Sequence, residues 1–152
     1  MTTEPCIFCR IVQGKEKSYT ISENETAIAI LDINPFSAGH TLIIPKRHVT
    51  WWYDMNEEEV HGVFMLARDI SQRIMKVLHP EFVAIYARGK RVPHTHIFLI
   101  PSYGDSPFDK FFDALQKFQE SPEDLANLRR PEVMNDVARR LRAETQGGGY
   151  AR

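Results

Sequence analysis

Cysteine is nearly absent from this chain, with only Cys6 and Cys9 among 152 residues, so no disulfide framework can hold the fold. Long apolar runs are missing too. No stretch approaches the roughly 18 apolar residues that a membrane helix requires, and the opening MTTEPCIFCR has no apolar core of the signal-peptide kind. A cytoplasmic protein without a membrane partner is expected. An excess of charge of either sign is lacking as well: 19 basic and 20 acidic side chains leave a formal net charge of −1. Such a chain has no global field to recruit nucleic acid or an anionic surface, so any anion site must be local. There is no internal repeat, no Ser/Gly linker and no low-complexity block beyond the terminal GGGYAR.

What is present suffices for one sizeable core, with 43% hydrophobic and 11% aromatic residues. Apolar runs at 20–22, 27–31 and 41–44 read as strands, and the polar turn Glu23-Asn24-Glu25 joins the first two as an antiparallel hairpin. Asn56 followed by three glutamates marks a helix start, where a capping side chain and the helix dipole act together. Val60, Val63, Phe64, Ala67, Ile70, Ile74 and Val77 then recur every three or four residues, so a helix to about Leu78 should lay this stripe on the sheet before His79-Pro80 stops it. Residues 82–86 and 95–100 supply two more strands, joined by the basic connection Ala87-Arg88-Gly89-Lys90-Arg91. Helical patterns follow at 108–118, 122–128 and 131–143. The expected architecture is α+β: a core of about five strands and one long packing helix over 1–101, a helical extension of the same domain over 102–145, and a flexible tail over 146–152.

The densest chemistry lies in VPHTHIFLIP, residues 92–101. In an extended strand His94, His96 and Phe98 project to one side, and Thr95, Ile97 and Leu99 to the other. Imidazole is largely unprotonated near neutrality, so it is nucleophilic without a separate base and then leaves well. On spacing alone the pair reads equally as a hydrogen-bonded or metal-binding motif. Cys6-x-x-Cys9 suggests a metal site, a redox pair or simply two buried thiols. Structural zinc takes four tetrahedral thiolate or imidazole ligands, and His48 and His94 are the candidates to complete the set. His61 and His79 have no partner pattern.

Together, CIFC, AILDINP, GHTLIIPKRH and VPHTHIFLIP resemble the histidine-triad superfamily over roughly residues 5–101. The resemblance implies a homodimer with a five-stranded antiparallel sheet. It further implies a nucleotide hydrolase or transferase that attacks the α-phosphate of a dinucleoside polyphosphate or related nucleotide through a covalent nucleotidyl-histidine. His96 is then the nucleophile and His40 helps to place it, Asp32 holds the ribose hydroxyls, and Leu31 and Ile33 line the base pocket. Cys6, Cys9, His48 and His94 hold a structural zinc. Two positions depart from the pattern. Phe98 stands where a third histidine is expected, and a phenyl ring neither hydrogen-bonds phosphate nor supplies a proton, which disfavours phosphoramidates against anhydrides. The loop before the histidines is short and lacks the Asn and Gly-Gln of the family. In their place Arg88, Lys90 and Arg91 form either a phosphate clamp, with Lys90 foremost, or a solvated loop tip. The alternative function is a catalytically weak or inactive nucleotide-binding module. A redox protein built on the cysteines is a third reading, and no thioredoxin-like βαβ context accompanies it.

Overall fold

Strands form where β-branched and apolar residues concentrate: β1 (Thr20–Glu23), β2 (Ala27–Leu31), β3 (Thr41–Pro45), β4 (Phe82–Tyr86) and β5 (Ile97–Ser102). Every neighbouring pair is antiparallel, and the order across the sheet is β1-β2-β3-β5-β4, so the last strand is inserted between β3 and β4. The structure, a computed structural model, describes residues 6–87, 91–120 and 122–144. The tail expected at 146–152 lies outside them. The chain divides after Lys110 into two compact units.

In the first unit Asn24 closes the β1–β2 hairpin. Its Oδ1 accepts the backbone N–H groups of Thr26 (3.0 Å) and Ala27 (2.7 Å), and its Nδ2 donates to the Gly62 carbonyl at 2.8 Å. A Cβ at Gly62 would stand 1.9 Å from Thr26 Oγ1, so only glycine lets the helix come this close to the hairpin. That helix, α2 (Glu57–Leu78), starts with a full capping box: Asn56 Oδ1 accepts Glu59 N–H and Glu59 Oε2 accepts Asn56 N–H, both at 2.9 Å. It ends at His79, whose φ of 52° is left-handed, just before Pro80.

The helix buries Val63, Leu66, Ala67, Ile70 and Ile74 against Ala27, Ala29, Ile43, Ile97 and Leu99 of the sheet. Two residues of the expected stripe lie outside it. Phe64 sits about 100° round the helix from Val63 and is half-exposed, and Val77 in the last turn is exposed. The other sheet face carries Ile28, Ile30, Leu42 and Ile44, covered by Phe8 of a short helix, α1 (Ile7–Val12).

The strand expected at 95–100 instead runs Ile97–Ser102. Its start is delayed because Thr95 N–H donates to the Val49 carbonyl at 2.6 Å, outside the ladder. It passes through Pro101 because that residue's carbonyl points away from β4 to accept Ser37 Oγ–H at 2.6 Å, so the missing N–H falls on the side where pairing with β3 has already ended at Leu99.

The helix α3 (Pro107–Glu120) begins on Asp109, whose carboxylate accepts Ser102 Oγ–H at 2.6 Å and Ser106 Oγ–H at 2.5 Å. The second unit holds the rest of α3, then α4 (Pro122–Leu125), a 3-10 turn (Ala126–Arg129) and α5 (Pro131–Ala143). The single helix expected at 122–128 is thus split, because Leu125 leaves helical geometry at φ −110°. Phe111, Phe118 and Leu141 of this unit are exposed. Among the described residues, no helix is long and apolar enough to cross a membrane.

Candidate active site and metal centre

The short helix α1 sets Cys6 at its N-cap and Cys9 one turn on, so that both thiols face one point. His48 follows β3. Its neighbour Arg47 makes a two-pronged bond to Glu59 of α2 (Nε–Oε1 2.5 Å, Nη2–Oε2 2.7 Å), which fixes this segment. His94 is fully buried just before β5. The ligand atoms of these four residues lie within 4.8 Å of one another. Cys6 Sγ is 3.4 Å from His94 Nδ1, Cys9 Sγ is 3.5 Å from the same atom, and Cys9 Sγ is 3.2 Å from His48 Nδ1.

A tetrahedral zinc with bonds of about 2.3 Å to sulfur and 2.0 Å to nitrogen has S···N edges of about 3.5 Å, so the donor set and its spacing fit that ion. The tautomer fits as well. His94 Nε2–H donates to the Pro45 carbonyl at 2.9 Å, turning the Nδ1 lone pair to the thiols. Burial, reinforced by Cys6, pushes the Cys9 thiol up, so the thiolate form needs a neighbouring cation. Neither cysteine is in a disulfide.

Two residues further on stands His96, 8% exposed. Its Nδ1–H donates to the His94 carbonyl at 2.8 Å, which leaves the lone pair on Nε2. Burial holds its pKa below the ordinary histidine value, opposed by that hydrogen bond and by Asp32, and keeps the ring neutral at pH 7. Phe8 and Phe98 meet the imidazole edge-on, each with centroids 5.0 Å away.

His40 lies on the far side of Phe98, whose ring centroid is 5.3 Å from it. The Nδ1 of His40 accepts Phe36 N–H at 3.3 Å, so Nε2 carries the proton. That atom is buried without a hydrogen-bond partner among the described residues, and Asp32 Oδ2 stands 3.8 Å from it. Burial lowers the His40 pKa and Asp32 raises it. Asp32 Oδ1 also accepts Asn34 N–H at 2.7 Å, a turn that keeps the carboxylate at the end of β2. The flanking Leu31 and Ile33 are 37% and 79% exposed. The structure therefore brings Asp32, His40 and His96 into one neighbourhood, joined by Phe98. Arg91 is exposed, and Lys90 and Arg88 lie outside the described residues.

One feature at the site was not anticipated from the sequence. Thr50, Trp51, Trp52 and Tyr53 enclose a cavity of about 180 Å³ with Ala87, Thr95 and His96. The signal available was three consecutive aromatics directly after the His48 segment.

A HIT-domain family model matches residues 13–105. A HIT-like protein of Mycoplasma genitalium is 40% identical over 107 residues, 67% of this chain and 76% of that relative. Among solved structures, a member of the HIT family of proteins from Bacillus subtilis superposes with a TM-score of 0.76 at 25% identity, covering 95% of this chain and 100% of that one. A Zn-bound histidine triad family protein from Mycobacterium smegmatis superposes with a TM-score of 0.61 at 34% identity, covering 66% of this chain and 77% of that one. The matched family span includes all four site histidines and begins after the cysteines, whose pairing with them rests on the distances above. By family match and by fold, this chain belongs to the HIT family.

Proposed function

We propose that the chain is a nucleotidyl hydrolase or transferase that attacks the α-phosphate of a dinucleoside polyphosphate or related nucleotide through His96. The observation that carries this reading is the 2.8 Å bond from His96 Nδ1–H to the His94 carbonyl, which leaves a neutral, buried imidazole with its lone pair on Nε2. In the first step Nε2 bonds to the α-phosphorus, and the bridging P–O bond breaks with its electron pair on the departing phosphate. In the second, water bonds to the phosphorus, the N–P pair returns to Nε2, and the product is a nucleoside monophosphate with release of the water's proton. A transferase replaces that water with another acceptor.

In this reading Asp32 holds the ribose hydroxyls, Leu31 and Ile33 form the walls around the base, His40 supports the nucleophile's surroundings through Phe98, and Lys90 and Arg91 neutralise phosphate charge. Phe98 has no proton to give, so the leaving group must depart without one, as a polyphosphate does and an amine does not. Cys6, Cys9, His48 and His94 would hold a structural zinc, as the Zn-bound mycobacterial relative supports. Its chemistry there is to keep the residue before Thr95 and His96 in place.

The chain is further read as a homodimer. Its β4 is an edge strand with Phe82 51% and Ile85 57% exposed, beside a groove of about 770 Å³ that Met75 of α2 also lines. Two free thiols poised for a metal suit the cytoplasm, where thiols stay reduced. The second functional reading, a nucleotide-binding module without turnover, draws on Phe98 and on the missing Gln of the shortened loop, with Asp32 retained for binding.

Intact mass of wild type and His96→Ala after brief incubation with diadenosine tetraphosphate, with detection of released mononucleotide, separates the two. Expected is a His96-dependent product and a transient nucleotidyl adduct. Binding without product in wild type would establish the inactive module instead.

A further inference from the structure

Resting on the reading of His96 as the attacking group, we propose that the cavity walled by Trp51, Trp52 and Tyr53 is a subsite for the leaving half of the substrate, and that it takes a second nucleobase. The strand register sets the directions. Leu31 pairs with Thr41 and Thr41 with Leu99, so Asp32 stands level with the part of β5 about 10 Å beyond His96, on its C-terminal side. The cavity touches Thr95 and His96 and lies towards the N-terminal side. A nucleotide whose sugar is at Asp32 and whose α-phosphorus is at His96 therefore extends the rest of its phosphate chain towards the aromatic wall.

The wall has the chemistry of a base receptor. Trp51 and Tyr53 lie parallel within 4°, Trp52 stands edge-on to Tyr53, and Trp52 and Tyr53 are 47% and 52% exposed. Stacking on such rings is tolerant of base identity because every base has a π-face. At about 180 Å³ the cavity holds a single ring system, smaller than a site for a whole drug-sized ligand. Thr95, 3% exposed, lines the same cavity, and its Oγ1 has no hydrogen-bond partner among the described residues. Its backbone N–H donates to the Val49 carbonyl at 2.6 Å, which fixes Thr95 beside the start of the aromatic segment.

The chain has two tryptophans and both are in this wall, so its tryptophan emission reports on this site alone. The test compares diadenosine tetraphosphate with adenosine tetraphosphate, which lacks the second nucleoside. Affinity for both ligands is measured by isothermal titration calorimetry in His96→Ala, tryptophan quenching reports whether a base reaches the wall, and kcat/KM is measured in wild type, Trp52→Ala and Trp52→Phe. A subsite predicts about tenfold preference for the two-base ligand, the scale of one base stacked on an aromatic ring. The preference is lost in Trp52→Ala and kept in Trp52→Phe, with the one-base substrate unaffected. An equal fall on both substrates would make Trp52 structural, and equal affinity for both ligands would remove the subsite while leaving a His96-dependent hydrolase intact. A two-base preference without turnover would keep the subsite and overturn the hydrolase.

Discussion

Phe98 is where one side chain decides most about the chemistry. Its ring sits between the imidazoles of His96 and His40, 5.0 and 5.3 Å away, so a proton-bearing group placed there would stand beside His96, the proposed nucleophile. Phe98→His should raise the rate on a nucleoside phosphoramidate by about 10² or more, the range of positioned acid catalysis, and change the rate on an anhydride much less. Parallel kcat/KM measurements on the two substrates check this, and an equal effect on both would show that protonation of the leaving group is not what limits the proposed reaction. The identity of this residue was legible in the alternation of residues 94–99. Its second neighbour was not, because His40 reaches it across a strand pairing, Leu42 with Phe98, which no local pattern encodes.

Among the elements, α2 was the easiest to foresee and also yields the clearest stability predictions. Its cap, acidic first turn and apolar stripe are local signals, whereas α1 has six residues and no capping side chain, so it depends on the packing of Phe8 and on the cysteines at its start. Asn56→Ala removes half of the capping box and should cost about 1 kcal/mol, read as a shift in denaturant midpoint at constant slope. Glu59 ties the cap to the metal-ligand segment. The Arg47 guanidinium beside it holds its carboxyl below the ordinary value of 4.5, against the opposing effect of burial. Its stabilising contribution is therefore complete above that value and lost as pH falls through the lower folded one. Arg47→Met should flatten this acid limb in a series of melts from pH 6 to 3, and an unchanged limb would assign the acid sensitivity to other carboxylates.

At the scale of the whole molecule the metal centre and the β4 edge make separate predictions. A ligand at a thousandfold its Kd stabilises the folded state by about 4 kcal/mol, so chelation of the metal should lower Tm by about 10 °C, and Cys9→Ser should lose both the metal and the response to chelator. For the proposed homodimer, Ile85→Lys on the exposed edge should give a monomer in light scattering with little change in Tm of the first unit, and a wild type that is already monomeric would overturn that reading. The five strands were legible singly, yet their order was not, since β5 enters between β3 and β4 only through contacts far apart in sequence. The aromatic cavity was hidden for the same reason: Ala87 and Thr95 close it from distant segments. This long-range closure has a consequence for synthesis. The partners of the cysteine pair lie 39 residues on from Cys9, at His48, and 88 on from Cys6, at His94. At roughly 5–20 residues per second, the growing chain carries its two thiols for several seconds before the last partner is made. The nascent chain must keep them from oxidising for that interval, so a brief oxidant pulse during translation would harm this protein more than the same pulse after folding.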